Sequence, residues 1–65
     1  MELGVAARIR EKRVAGGLTQ SQLAEQLSVS TKAVNEWERD KADPSIKNLI
    51  ALARYFNVSL DWLLT

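Results

Sequence analysis

The segment Thr19–Glu38, TQSQLAEQLSVSTKAVNEWE, constrains the fold most, because its helical pattern of apolar residues breaks once. Before the break, three apolar residues share one helical face: Leu23, Ala24 and Leu27. Val29 lies off that face, and a new helical series then starts with Val34 and Trp37. Two helices joined by so short a link must cross at a steep angle. The break therefore predicts a helix-turn-helix unit over about residues 20–39.

Caps and apolar spacing along the rest of the chain predict five helices in one compact all-α domain, residues 1–65. The first helix is expected over Leu3–Ala15 and ends at Gly16 and Gly17, and the second begins at Gln20 with a capping box formed by Thr19 and Gln22. The third is expected over Thr31–Arg39 with Ser30 as its cap. The fourth begins after Asp43, Pro44 and Ser45, and the fifth covers Leu60–Leu64 with Ser59 as its cap. Either Asp43 or Ser45 is expected to cap the fourth helix. Its buried stripe is expected to contain Ile46, Leu49, Ile50, Ala53 and Phe56.

The composition excludes several kinds of site. The chain has no Cys and no His, so disulfides, thiolate or imidazole metal sites and Ser-His or Cys-His nucleophile pairs are absent. No phosphate loop is present either, and we expect neither an enzyme nor a cofactor, metal or small-molecule ligand. No apolar run approaches the ~20 residues of a membrane helix, and the first charges follow the apolar residues, unlike a signal peptide. We therefore expect a cytoplasmic protein with no membrane partner.

Charge alone does not indicate a nucleic-acid partner, because the formal net charge is only +1. The charges are nevertheless unevenly placed. Four cations crowd the first helix: Arg8, Arg10, Lys12 and Arg13. Four acids follow residue 35: Glu36, Glu38, Asp40 and Asp43. The basic half of the chain is therefore N-terminal.

The third helix carries a polar face opposite its apolar one. With Val34 at the centre of the buried side, a step of 100° per residue directs four side chains outward: Lys32, Asn35, Glu36 and Arg39. Such a face is most often an ordinary solvated surface. A helix of this diameter also fits the major groove of B-DNA, where outward polar side chains can read base edges.

Four segments together resemble the helix-turn-helix repressors of the lambdoid phage repressor and Cro type. They are RIREKR, GLTQSQLAEQL, VSTKAVNEWE and PSIKNLIALARYFNVSLDWLL, and they cover nearly the whole chain in the family's order. The resemblance implies a bacterial or phage-encoded transcriptional regulator, most often a repressor, that binds a double-stranded DNA operator as a homodimer with its third helix in the major groove. The alternative is an antitoxin-like protein-interaction module in which DNA binding is secondary.

The resemblance also assigns residues. Thr31, Lys32 and Glu36 match positions that family members use on base edges, and geometry alone adds Asn35. Arg13 and Glu38 match a partly buried ion pair that joins the first and third helices. The predicted phosphate contacts, at the start of the second helix, after the third helix and on the first helix, are Thr19, Gln20, Arg39, Lys41 and Arg10. For Arg10, ordinary surface charge is an equal alternative.

The sequence departs from the family at two positions where Gly is usual, Ser28 in the turn and Asp40 after the third helix. Both are expected to need a left-handed backbone, which costs a side-chain-bearing residue about 1 kcal/mol. The last helix holds more apolar residues than a short turn can bury against its own core. We therefore expect part of this segment to meet a second copy on DNA, and the candidate contact residues are Leu60, Trp62, Leu63 and Leu64.

Overall fold

Hydroxyl side chains start four of the five helices in residues 4–65, the part of the chain that the computed structural model describes. The helices are α1 Val5–Ala15, α2 Gln20–Leu27, α3 Thr31–Glu38, α4 Ile46–Phe56 and α5 Leu60–Leu64, with no strand among these residues. The caps of α2 to α5 are Thr19, Ser30, Ser45 and Ser59, and each hydroxyl accepts a backbone N–H from the first turn. Such a bond satisfies a donor that the helix itself leaves unpaired.

Most of the predicted boundaries are confirmed. Thr19 and Gln22 form the full capping box, and Ser45 rather than Asp43 caps α4. The predicted end of α3 at Arg39 is one residue too long, because Arg39 occupies the C-cap with φ −94° and ψ 3°. The predicted start at Leu3 lies outside the described residues.

The first four helices end in the same left-handed turn. The left-handed residues are Gly17, Ser28, Asp40 and Asn57, with φ between 56° and 72°. After each, the next residue donates its N–H to a carbonyl five positions back, as Val29 does to Ala24 at 3.0 Å. This is the Schellman arrangement, in which a hydrophobic residue after the turn often packs back onto the helix. Leu18, Val29 and Val58 do so against the core. The left-handed backbone predicted at Ser28 and Asp40 is therefore confirmed.

All five helices contribute side chains to one core. It contains Val5, Ile9, Leu23, Ala24, Val34, Trp37, Leu49, Leu52, Ala53 and Leu63. Helix α2 packs on α3 and α4, and α1 packs on α3 and α5. Ala24 is buried in this core, and as a small residue on α2 it permits the close approach of a neighbouring helix.

The predicted buried stripe of α4 is wrong in part. Leu49 and Ala53 are buried, but Ile46 is 70% exposed and Ile50 is 38% exposed. Leu52, which was not assigned to the stripe, is fully buried. The buried face is thus rotated from the predicted face, away from Ile46 and Ile50 and toward Leu52. Both sets satisfy a helical period, so packing against α2 and α5 selects between them.

Candidate nucleic-acid interface

Helix α3 is held by its apolar side and presents its polar N-terminal half to solvent. Val34 and Trp37 are buried in the core, whereas Thr31 and Lys32 are exposed. Asn35 and Glu36 are half-buried, one turn further along. Glu36 makes no side-chain hydrogen bond or ion pair within residues 4–65. Lys32, Asn35 and Glu36 therefore lie on the side of α3 away from the centre of its core contact, and Thr31 is exposed at its N-terminal end.

Arg13 on α1 and Glu38 on α3 form a salt bridge with two parallel hydrogen bonds. Arg13 Nε donates to Glu38 Oε2 at 2.6 Å, and Nη2 donates to Oε1 at 3.0 Å. Arg13 Nη1 also donates to the carbonyl oxygen of Leu18 at 2.8 Å, which ties the turn after α1 to the same group. Only 14% of the Arg13 side chain and 3% of the Glu38 side chain are exposed. The pair predicted from the resemblance is thus present, and it fixes α1 against α3.

The salt bridge stabilises the charged form of the Arg13 guanidinium. The hydrogen bonds to Glu38 raise the pKa of Arg13 above its usual range, its Coulomb attraction acts in the same direction, and desolvation opposes both. A raised pKa contributes stability below the unfolded-state pKa, and this contribution disappears only when pH rises through the folded-state value. That range lies far above neutral pH, so Arg13 stays charged wherever the domain is folded and working.

Gln20, the first residue of α2, lies between two residues of α3. Its Nε2 donates to Glu38 Oε1 at 3.1 Å, and its Oε1 accepts from Asn35 Nδ2 at 3.2 Å. The sequence predicted a phosphate contact for Gln20, but most of its side-chain amide is already engaged inside the domain. Nothing in the local sequence signals this contact, because Gln20 is 15 residues from Asn35 and 18 from Glu38.

The remaining predicted phosphate contacts are on the surface. Thr19 is exposed, and its hydroxyl accepts the Gln22 N–H at 3.0 Å. Arg39 and Lys41 are exposed directly after α3, and Arg10 is exposed on α1. The side chains of these three cations make no hydrogen bond or ion pair with the rest of residues 4–65.

Two other cations of α1 are used to hold α5. The Arg8 guanidinium lies 4.9 Å and the Lys12 ammonium 5.3 Å from the centre of the Trp62 ring. Arg8 Nη1 also donates to the Trp62 carbonyl oxygen. Cation–π contacts of this kind stabilise the packing of one helix on another. Most of the cations predicted on the first helix therefore stabilise the fold: Arg8 and Lys12 contact Trp62, and Arg13 pairs with Glu38.

The predicted second-copy contact on α5 needs correction. Leu63 is fully buried in the core, so its side chain cannot meet another molecule while the domain is folded. Trp62 and Leu64 are half-buried and pack against the same core. Leu60, 36% exposed, is the most exposed residue of the four. For Leu63 the prediction is wrong, because α1 and α4 pack on α5 and bury this side chain; for the other three residues it stays a prediction.

None of the helices in residues 4–65 combines the length and the hydrophobicity that a membrane-spanning segment needs. No cluster of three or more acidic side chains is arranged to hold a metal ion in the same region.

Two short helices crossing at a tight turn, with the second presenting a polar face, define a helix-turn-helix domain. The chain belongs to the helix-turn-helix family HTH_3, whose model matches residues 9–63.

Individual relatives agree with this assignment. The chain is 40% identical over 58 residues to the HTH-type transcriptional activator BcrR of Enterococcus faecalis, covering 89% of this chain and 28% of BcrR. It is 36% identical over 62 residues to the HTH-type transcriptional regulator ImmR of Bacillus subtilis, covering 95% of this chain and 49% of ImmR. The chain thus spans half or less of these relatives.

The fold also matches a solved complex. The P22 c2 repressor bound to a synthetic operator superimposes with a TM-score of 0.89 and 34% identity, covering 100% of this chain and 97% of that one.

Proposed function

We propose that this domain binds a double-stranded DNA operator sequence-specifically, as the DNA-binding domain of a transcriptional regulator. The observation that carries the proposal is the presentation of α3: Val34 and Trp37 hold one face in the core, whereas Lys32 on the opposite face and Thr31 at the N-terminal end are exposed. The P22 c2 repressor, which shares the fold, was solved with an operator. Since the relatives include a named activator, the position of the operator relative to a promoter decides whether binding represses or activates.

The base readers differ in their chemistry. The Lys32 ammonium can donate to guanine O6 and N7, and the Thr31 methyl can contact a thymine methyl. Asn35 can pair with adenine, and the Glu36 carboxylate can accept a hydrogen bond from cytosine N4. Together they supply both donors and acceptors on one helix, as sequence reading in the major groove requires.

Phosphate contacts orient the domain on the duplex. The first-turn N–H groups of α2 point along its axis beside Thr19, and the dipole of the helix favours an anion there. Gln20 takes part in this contact mainly through its backbone N–H, because its side chain is bound to α3. The exposed side chains of Arg39, Lys41 and Arg10 complete the phosphate contacts.

A second copy on an adjacent half-site strengthens the binding. Few phosphates are neutralised by one copy, so a single domain binds weakly, and pairing raises affinity through effective concentration. We assign Leu60 to the contact between copies, flanked by the exposed edges of Trp62 and Leu64. Binding to an operator also places the site of action in the cytoplasm of a bacterium that carries the gene or is infected by the phage that does.

Selection from a randomised DNA library with the purified domain, at about 50 and 200 mM salt, tests the proposal. We expect enriched sites with two half-sites related by symmetry, and affinity that falls as salt rises. Lys32→Ala should change the preferred base at one position of each half-site. Arg54→Ala removes another exposed cation, from the last turn of α4, and should leave every preference unchanged. A library that shows no enrichment would refute operator binding.

A further inference from the structure

Four polar side chains from three helices form one continuous chain of hydrogen bonds that ends at the candidate interface. Arg13 donates to Glu38, Gln20 donates to Glu38 Oε1 at 3.1 Å, and Asn35 donates to Gln20 Oε1 at 3.2 Å. We propose that Gln20 is a positioning residue for sequence reading, which holds the Asn35 amide so that its oxygen faces the DNA bases. The inference rests on the operator binding proposed above, and it assigns Gln20 a role beyond phosphate contact.

The donor and acceptor groups of these four side chains fix the direction of every hydrogen bond between them. The Arg13 guanidinium can only donate, and the charged Glu38 carboxylate can only accept. The end of the Gln20 amide that faces Glu38 must therefore be its NH₂ group, which places its oxygen toward Asn35. That oxygen accepts, so Asn35 must turn its own NH₂ group toward Gln20. The orientation of Asn35 is thus set from Arg13, through two intermediate side chains.

The consequence for DNA reading concerns Asn35, the last side chain in this series of hydrogen bonds. Asn35 Oδ1 accepts no hydrogen bond from the rest of residues 4–65. In the major groove, adenine and cytosine present an amino donor, whereas guanine and thymine present a carbonyl acceptor at the corresponding position. An outward acceptor selects the amino bases and rejects the keto bases. An Asn35 amide free to turn over would donate to the keto bases instead and lose this discrimination.

The burial of the anchor supports a fixed orientation. Only 3% of the Glu38 side chain is exposed, and Gln20 and Asn35 are both half-buried, so water competes weakly for these bonds. Reversing the Asn35 amide would bring two carbonyl oxygens together, because Gln20 cannot reverse while Glu38 is charged. Arg13 keeps that charge in place through its two hydrogen bonds.

The test compares the base preferences of the parent with those of Gln20→Met, Asn35→Ala and the double variant, measured on the same randomised sites. Gln20→Met keeps the length of the side chain and removes both of its polar groups. Gln26→Met is the matched control, since Gln26 is an exposed glutamine of α2 without a side-chain partner in the described chain. Chemical unfolding of each variant confirms that it is folded.

We expect Asn35→Ala to identify one base pair per half-site at which the parent prefers an amino base. At that pair, Gln20→Met should reduce the preference for amino over keto bases by about tenfold, the size of one good base contact. It should cause no further change in the Asn35→Ala background, and Gln26→Met should behave like the parent.

Three results would overturn the inference. If Gln20→Met weakens binding equally on all sequences and lowers the salt slope by about one, Gln20 is a phosphate contact only. If Asn35→Ala alters no preference while the parent still selects sites, Asn35 is not a reader, and operator binding survives without this role for Gln20. If the parent selects no sequence at all, the proposed function fails, and the inference fails with it.

Discussion

The Arg13 guanidinium and the Glu38 carboxylate join α1 to α3 through hydrogen bonds of 2.6 and 3.0 Å, with Glu38 almost completely buried. Removing either partner leaves a poorly compensated charge, so Arg13→Met or Glu38→Leu should each lower the free energy of unfolding by about 3 kcal/mol or more. The double variant should lose less than the sum, because neither charge is then left alone. Urea unfolding of the four proteins measures the coupling. Arg10→Met, which removes a cation without a side-chain partner in residues 4–65, is the control, and additive single effects would show that the pair contributes no coupling.

Ser28 occupies a left-handed conformation, with φ 57° and ψ 42°, between α2 and α3. Ser28→Gly should raise the free energy of unfolding by roughly 0.5–1 kcal/mol, because Gly relieves the contact of Cβ with the backbone, although its freer unfolded state offsets part of the gain. Ser21→Gly, inside α2, should have the opposite sign and cost about 0.5 kcal/mol. Denaturant midpoints of both variants give the comparison. A loss of stability in Ser28→Gly would mean that the serine is not strained.

Leu63 and Leu60 belong to the same short helix but differ completely in burial. Leu63→Ala should lower the free energy of unfolding by about 2–5 kcal/mol, since it opens a cavity in the core. Leu60→Ala should change it by about 0.5 kcal/mol or less, as expected for a surface substitution. It should nevertheless weaken cooperative binding to paired half-sites. Equal stability losses in the two variants would contradict the assigned burial, and unchanged cooperativity in Leu60→Ala would remove Leu60 from the contact between copies.

Glu36 is an acid on a surface proposed to meet phosphates. If it reads cytosine N4, Glu36→Gln should shift the preference toward adenine at one position of each half-site and raise the affinity for nonspecific DNA. The loss of discrimination should be about 1–3 kcal/mol at that base pair. Glu25→Gln removes an exposed acid of α2 and serves as the control for charge. A Glu36→Gln variant that binds every site more tightly with the same preferences would show that Glu36 only repels the backbone.

Local features of the fold were predictable from sequence because their causes are local. The capping box needs only Thr19 and Gln22, three residues apart. The left-handed backbone at Ser28 was expected from the resemblance, because the family usually carries Gly at that position. The buried face of α4 was not predictable in the same way. Ile46 and Leu52 fit two different helical stripes, and tertiary packing alone decides that Leu52 is buried and Ile46 is exposed.

In the candidate site, too, features with local causes were predictable from sequence, and features that depend on tertiary packing were not. The outward position of Lys32 follows from the period of α3, whereas Thr31 was assigned from the resemblance. The contact between Arg8 and Trp62 joins residues 54 positions apart, and the bonds of Gln20 to α3 depend on the crossing of two helices. A count of charges on α1 therefore overstated its free cations, because the sequence does not show which of them have partners in the fold.

The position of Trp62 between two cations of α1 gives the domain a pair of separate optical reporters. Trp37 is buried in the core beside α2, whereas Trp62 reports on the attachment of α5. In Trp37→Phe, the tryptophan fluorescence during denaturation reports on Trp62 in α5, and in Trp62→Phe it reports on Trp37 in the core. Because α5 is only five residues long and contributes one fully buried side chain, Leu63, to the core, it should detach at lower denaturant than the other helices unfold, whereas coincident transitions would show a single cooperative unit. The emission wavelength of Trp62 can thus reveal whether α5, which is proposed to contact a second copy, is attached to the domain before any DNA is added.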